Sequence, residues 1–334
     1  MDTSRRDALR LLSSGATGLM LQRPECLPDG LCPGGLDLSD FDEMCFSDAA
    51  GTKHQVYVAG KSGPPVMLLH EINGLTNQTL ATARQLAAAR YTAVVPLFFG
   101  EPGKRRSIFS GGSICKDDQF ACNRAERTSA HVTWLRELAS CARKQWPDGK
   151  DVGVIGMCLT GAFPLAMLRA PEVVAPVLCQ PTLPFSPRNF FHLLGWFTKQ
   201  DALALDPADV AYVKTNTSMP ILGIRYSGDR YCKKKRFERL TTEFGGRFYR
   251  LDMPGRHHST LVGDFCTDAF TEVLAFFNQY LRTMPDTCVG AFPLLSRHSL
   301  TEVTPDSCRG SRTGNPHAGD HSATTMKGTI CSSE

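Results

Sequence analysis

Short apolar runs of strand length alternate with amphipathic helical stripes through most of this 334-residue chain, and few architectures accept that rhythm. Gln55-Val56-Tyr57-Val58, Val66-Met67-Leu68-Leu69 and Ala93-Val94-Val95-Pro96 are the first runs, and between the last two Leu80, Ala83, Leu86 and Ala87 recur at helical spacing. Val132, Leu135, Leu138 and Ala142 form a second stripe. Val152-Gly153-Val154-Ile155 follows as a strand, then a helical stretch from Leu159 to Leu168, where the internal Pro164 predicts a kink. Val174–Leu178, Ile221–Ile224 and Phe248–Leu251 supply further buried strands, and Phe265, Ala269, Val273, Leu274, Phe277 and Leu281 mark a closing helix. Strands that are apolar on both sides must be covered on both sides. The pattern therefore predicts an α/β class with a mostly parallel central sheet and helices on both faces.

The flanks differ in composition. Residues 1–44 read as an N-terminal extension. Within it, Ser4-Arg5-Arg6-Asp7-Ala8-Leu9-Arg10 and the mildly apolar stretch after it resemble a twin-arginine export signal, while Leu9, Leu12 and Ala16 also fit a frayed basic amphipathic helix. A cytoplasmic location is the expectation and export the alternative. Residues 23–40, rich in Pro, Gly and Asp, read as a linker. Residues 45–284 form the predicted α/β domain. Inside it, 181–218 carries Phe185, Phe190, Phe191, Trp196 and Phe197, which predicts either a lid or pocket wall or an ordinary helical excursion beside the sheet. Residues 285–334 are Ser-, Thr-, Gly- and Asp-rich and read as a tail whose His298, His317 and His321 are solvated rather than ligands.

Several function classes are excluded by composition. Hydrophobic residues are 42% and charged residues 21%, which rules out wholesale disorder. The formal charge of +4 is too small and dispersed for a nucleic-acid footprint. No run approaches the roughly 18 apolar residues of a membrane span. Thirteen cysteines without any C-x-x-C pair give neither a zinc ribbon nor a closed disulfide framework, and read mostly as buried thiols. Gly60-Lys61-Ser62 lacks the leading glycine of a phosphate loop, with Gln55 in its place. Neither a metal nor an organic cofactor is implied.

The chemistry concentrates in Gly156-Met157-Cys158-Leu159-Thr160-Gly161, where a buried strand runs through a glycine-flanked turn into a helix. This is the context of a nucleophile elbow, with cysteine in place of serine. Cys158 would stand at the helix N-terminus, whose dipole favours the thiolate, and the Leu159 amide would form part of an oxyanion hole. Two later strands end in groups such a nucleophile needs: Ser227-Gly228-Asp229 supplies a carboxylate and Gly255-Arg256-His257-His258-Ser259 an imidazole. The order nucleophile, acid, histidine is that of α/β-hydrolases. In this reading His258 moves the proton and Asp229 orients it.

Together with His70-Glu71-Ile72-Asn73-Gly74-Leu75 after an earlier strand, these motifs resemble the dienelactone hydrolase family, cysteine-nucleophile α/β-hydrolases, over roughly residues 45–282. The resemblance implies an α/β-hydrolase fold and a carboxylic ester hydrolase of the carboxymethylenebutenolidase type, acting on a small acyl substrate. It further implies that Glu71 helps generate the thiolate, that the Ile72 amide is the second oxyanion donor, and that His258 rather than His257 is the triad member. Thr160 stands where the family often has a second glycine. Val262 stands where members carry an arginine for a substrate carboxylate, which points away from dienelactone itself. Two other classes fit the residues: a non-catalytic ligand-binding protein on the same scaffold, and a thiol redox protein with Cys179 resolving Cys158.

Overall fold

The computed structural model describes residues 21–22, 35–98, 102, 126–146, 151–183 and 199–282. The arginine pair near the N-terminus, the aromatic residues between 185 and 197 and the tail beyond 285 lie outside the described residues. Nine strands form one sheet: β1 (Leu21–Gln22), β2 (Asp42–Ser47), β3 (Lys53–Ala59), β4 (Pro65–Leu69), β5 (Thr92–Pro96), β6 (Val152–Met157), β7 (Val173–Cys179), β8 (Ile221–Tyr226) and β9 (Phe248–Met253). Their spatial order is β1-β2-β3-β5-β4-β6-β7-β8-β9. The first three are antiparallel to their neighbours, whereas β5, β4, β6, β7, β8 and β9 run parallel. All the strand runs read from the sequence are present. The two strands before β3 go beyond the sequence reading: β1 spans only two residues, and the side chains of β2 are mostly half-buried and give no continuous apolar run.

Helices α1 (Asn77–Ala88), α2 (His131–Gln145), α3 (Phe163–Met167), α4 (Pro207–Asn216), α5 (Lys234–Phe244) and α6 (Thr267–Leu281) cover the sheet. Leu80, Ala83 and Leu86 of α1 pack with Ala269, Val273, Phe277 and Leu281 of α6 on one face. Residues of α2 to α5 pack on the other, so the sheet is covered on both sides. Helix α5 is a finding: its sequence is dominated by Lys, Arg and Glu, and only Phe237, Leu240 and Phe244 mark the buried stripe.

One expectation is corrected. The helix read as continuous from Leu159 to Leu168 is a 3-10 turn at Cys158–Thr160 followed by the short α3. Pro164 lies in the first turn of α3, where no backbone donor is needed, and it begins a helix rather than kinking one.

The parallel strands all end at the same sheet edge. The residues immediately after β4, β6, β7, β8 and β9, which include Glu71, Cys158, Gln180, Asp229 and the His257-His258 loop, are therefore brought together by topology alone.

Candidate active site

Cys158 follows β6 directly and has a φ of +55°, a left-handed conformation that a side chain adopts only under constraint. The constraint is visible on both sides of it. A Cβ at Gly156 would lie 2.3 Å from the Thr160 carbonyl oxygen, and one at Gly161 would lie 2.5 Å from Pro181 Cα. Thr160 stiffens the turn further. Its hydroxyl accepts from the Met157 N–H at 3.1 Å and lies within hydrogen-bonding distance of the carbonyl oxygens of Leu69 and His70. The residue standing where relatives often have glycine thus ties the elbow to the end of β4.

The Cys158 sulfur lies 3.4 Å from Thr182 Oγ1, and its carbonyl accepts from the Thr182 N–H at 2.9 Å. His258 Nδ1 is 2.7 Å from Asp229 Oδ2. The Asp229 side chain is completely buried, and its other oxygen accepts from the N–H groups of Tyr231 and Cys232 at 2.7 and 3.0 Å. Burial disfavours the charged imidazole of His258, but the charge and hydrogen bond of Cys158 together with those of Asp229 outweigh it and lift its pKa well above the ordinary value. With Nδ1 committed to Asp229, Nε2 is the nitrogen left for the sulfur. His257 takes another path: it is exposed, packs edge-on against Tyr226 and faces Asp264 at 3.5 Å.

Glu71 is brought into the same network, but not onto the sulfur. Its two oxygens are each 2.8 Å from Ser259 Oγ, and Oε1 also accepts from Gln180 Nε2 at 3.0 Å. Among the described residues no hydrogen bond joins Glu71 to Cys158. Burial raises the Glu71 pKa, partly countered by the positive charge of His258 and by its hydrogen bonds. The backbone N–H groups of Ile72 and Leu159 donate to no described residue. The neighbouring His70 is fully buried and held in one tautomer, with Nδ1 donating to the Glu71 carbonyl and Nε2 accepting from the Phe98 N–H. Burial lowers its pKa to about 4.

Four supporting residues escaped the sequence reading. Gln180, at the end of β7 with φ +34°, bridges Glu71 to Thr260, whose hydroxyl donates to Gln180 Oε1 at 2.5 Å. Thr182 lies against the Cys158 sulfur. Arg225, buried in β8, donates to Asp252 Oδ1 at 2.7 Å, to the Cys232 carbonyl at 2.6 Å and to the Ser227 carbonyl, and so braces the loop carrying Asp229. Arg236, also buried, donates to the carbonyls of Ala202 and Pro181 and joins the loop after β7 to α5. The available signals were polar residues placed straight after an apolar strand and one arginine inside an otherwise apolar run.

The other thiols differ. Cys179 is buried beneath α6, and burial pushes its pKa far up, so it stays protonated. Cys232 is pushed up to about 12 for the same reason. Cys266 is disulfide-bonded, an exception to the expectation of buried thiols. Among the described residues no group of three His, Cys, Asp or Glu side chains could hold a metal ion, and no helix is long and apolar enough to cross a membrane.

Comparison with known proteins matches residues 54–244 to the model of the dienelactone hydrolase family. No curated protein matches the chain. Among solved structures, an esterase from Pyrococcus furiosus is similar with a TM-score of 0.52 and 14% identity, covering 78% of this chain and 99% of its own. A Klebsiella pneumoniae protein described as a candidate dienelactone hydrolase gives a TM-score of 0.54 at 18% identity, covering 72% and 98%. Acetyl xylan esterase 1 from Thermoanaerobacterium gives 0.50 at 13% identity, covering 81% and 92%. At these identities the structural likeness speaks for the α/β-hydrolase fold.

Proposed function

We propose, from the premise that this chain belongs to the dienelactone hydrolase family, that it hydrolyses an ester, lactone or thioester through Cys158, His258 and Asp229 and a covalent acyl-enzyme. The observation that carries this reading is the pairing of His258 with the buried Asp229 at 2.7 Å, on an imidazole whose proton affinity is raised by the strained Cys158 beside it. An imidazolium next to a sulfur is the state from which a thiolate attacks.

In the proposed cycle the Cys158 sulfur forms a bond to the carbonyl carbon, and the developing oxyanion is held by the Ile72 and Leu159 N–H groups. His258 gives its Nε2 proton to the leaving oxygen or sulfur, whose bond to the carbonyl carbon breaks. The neutral imidazole then takes a proton from water, the resulting hydroxide attacks the acyl carbon, and the carbon–sulfur bond breaks to regenerate thiolate and imidazolium. Asp229 keeps the ring in the useful tautomer throughout. Glu71 acts on the nucleophile through His258, since a carboxylate there favours the imidazolium. The Thr182 hydroxyl, 3.4 Å from the sulfur, is placed to donate to it once it is a thiolate. No step calls for a metal or an organic cofactor.

Cys158→Ala is the direct test. It should abolish turnover of a chromogenic short acyl ester without lowering the melting temperature, and Cys158 should be alkylated ahead of Cys179 and Cys232 near neutral pH. Unchanged hydrolysis by Cys158→Ala removes the proposal. Alkylation without any hydrolysis across esters, lactones and thioesters would favour a ligand-binding or thiol redox role instead.

A further inference from the structure

A cavity of about 240 Å³ opens beside Glu71 and is walled by Asn73, Gln78, Ser259, Val262 and Asp264 among others. Neither Cys158 nor His258 is one of its walls. The link to the reacting sulfur runs through Ser259, which bonds Glu71 and directly follows His258 in the chain. That placement assigns the pocket a side of the substrate. The leaving oxygen must reach His258 to be protonated, so the alcohol part of an ester lies over the histidine loop, and the residues that continue this loop, Ser259, Val262 and Asp264, are pocket walls.

The chemistry of the walls is mixed hydroxyl and amide, with two carboxyl groups and no Lys, Arg or His. Asp264 is fixed in place because Oδ2 accepts from the N–H groups of His258 and Ser259 at 3.0 and 3.3 Å. Thr76 caps α1 at the pocket, and no acidic residue neutralises that helix end. The helix end presents roughly half a positive charge. One full carboxylate at Asp264, reinforced by Glu71 whenever it ionises, exceeds that half charge, so the net field repels an anion. The same field would draw a cation, but the walls hold no aromatic face to receive one, whereas Asn73, Gln78 and Ser259 offer the donors and acceptors that hydroxyl groups use.

We propose that this pocket receives the leaving alcohol of the ester, and that the alcohol it takes is neutral and hydroxylated rather than a carboxylate-bearing hydroxy acid. The inference rests on the ester-hydrolase reading above and deepens it by naming the leaving group. Val262, only 9% exposed, gives the wall an apolar surface.

The test is acetate release at pH 8 from four acetyl esters sharing one acyl group. Their alcohols are n-butanol, glycerol, 3-hydroxypropanoate and choline. The glycerol ester is expected to give a severalfold higher kcat/KM than the butyl ester, through one or two added hydrogen bonds. It should also exceed the 3-hydroxypropanoate ester about tenfold, the size of a carboxylate–carboxylate repulsion across a few ångströms of hydrated pocket. Val262→Arg should narrow or reverse that second ratio, and Gln78→Ala, at an exposed position that leaves folding intact, should lower the glycerol-to-butyl ratio. Equal or better hydrolysis of the 3-hydroxypropanoate ester, preference for the choline ester over the glycerol ester, or ratios unmoved in both variants would overturn the inference while leaving ester hydrolysis standing. Failure to cleave even the butyl ester would instead remove the underlying reading, and this inference with it.

Discussion

Replacing Asp229 by asparagine keeps the shape of the site and removes one charge, and the structure dictates how the new amide must sit. Asp229 Oδ1 accepts from the N–H groups of Tyr231 and Cys232, so the asparagine oxygen stays there and its NH2 group turns toward His258. His258 Nδ1 must then accept a hydrogen bond, and the ring proton moves to Nε2, the nitrogen that has to take the thiol proton. A hydrogen bond to a charged partner is worth about 1.5–3 kcal/mol. A Coulomb term for a carboxylate and an imidazolium about 4 Å apart comes to ~4 kcal/mol at an effective dielectric of about 20, as an upper bound. A loss near 3 kcal/mol is a fall of at least about a hundredfold in kcat. The imidazolium loses its partner at the same time, so the pKa of His258 drops. The assay is a pH–rate profile on a chromogenic ester, run beside the rate of Cys158 alkylation by iodoacetamide between pH 5 and 9, with the melting temperature as a folding control. Wild-type kcat and an unshifted alkylation profile in a folded Asp229→Asn protein would refute the assignment of Asp229 as the group that sets the tautomer.

Three further outcomes follow from the same geometry. The folded pKa of Glu71 is raised, so its stabilising contribution is complete below the ordinary carboxylate range and is lost as pH rises through the folded value. Glu71→Gln should therefore gain melting temperature relative to wild type at pH 8 and little at pH 4, measured by thermal unfolding in matched buffers. His70 is the opposite case. Its pKa falls from 6.5 to about 4, so the stability it contributes is complete above the ordinary histidine value and is lost as pH falls through about 4, a loss of about 3 kcal/mol across that window. Urea midpoints of His70→Asn should depend less on pH over this range than those of wild type; an identical dependence would show that His70 titrates normally. At the elbow, Gly156→Ala forces a methyl group to 2.3 Å from the Thr160 carbonyl oxygen and 2.6 Å from Pro164 Cδ. Overpacking of this kind costs about 2 kcal/mol or more and should lower both the melting temperature and kcat, because the turn that shifts is the one carrying Cys158.

The chain's own sequence determined the alternation of strands and helices, the α/β class and the loops that meet at one sheet edge around Cys158, Asp229 and His258. Buried parallel strands must be apolar on both sides, and a tight strand-to-helix turn must be flanked by glycine, so both leave local marks. Helix α5 and strand β2 left weaker marks because each buries one narrow stripe amid polar residues. The sequence also offered two adjacent histidines with equal chemistry. Tertiary structure separated them: the backbone of the loop after β9 sends one ring to Asp229 and the other to Asp264. The partners of Glu71, the hydroxyl of Thr182 on the sulfur and the pairing of Arg225 with Asp252 join residues 24 to 188 positions apart, and no local spacing rule spans such distances. Contacts of that kind exist only once parallel strands have carried their C-terminal ends to one edge, and the direction in which each side chain leaves its loop depends on the packing there.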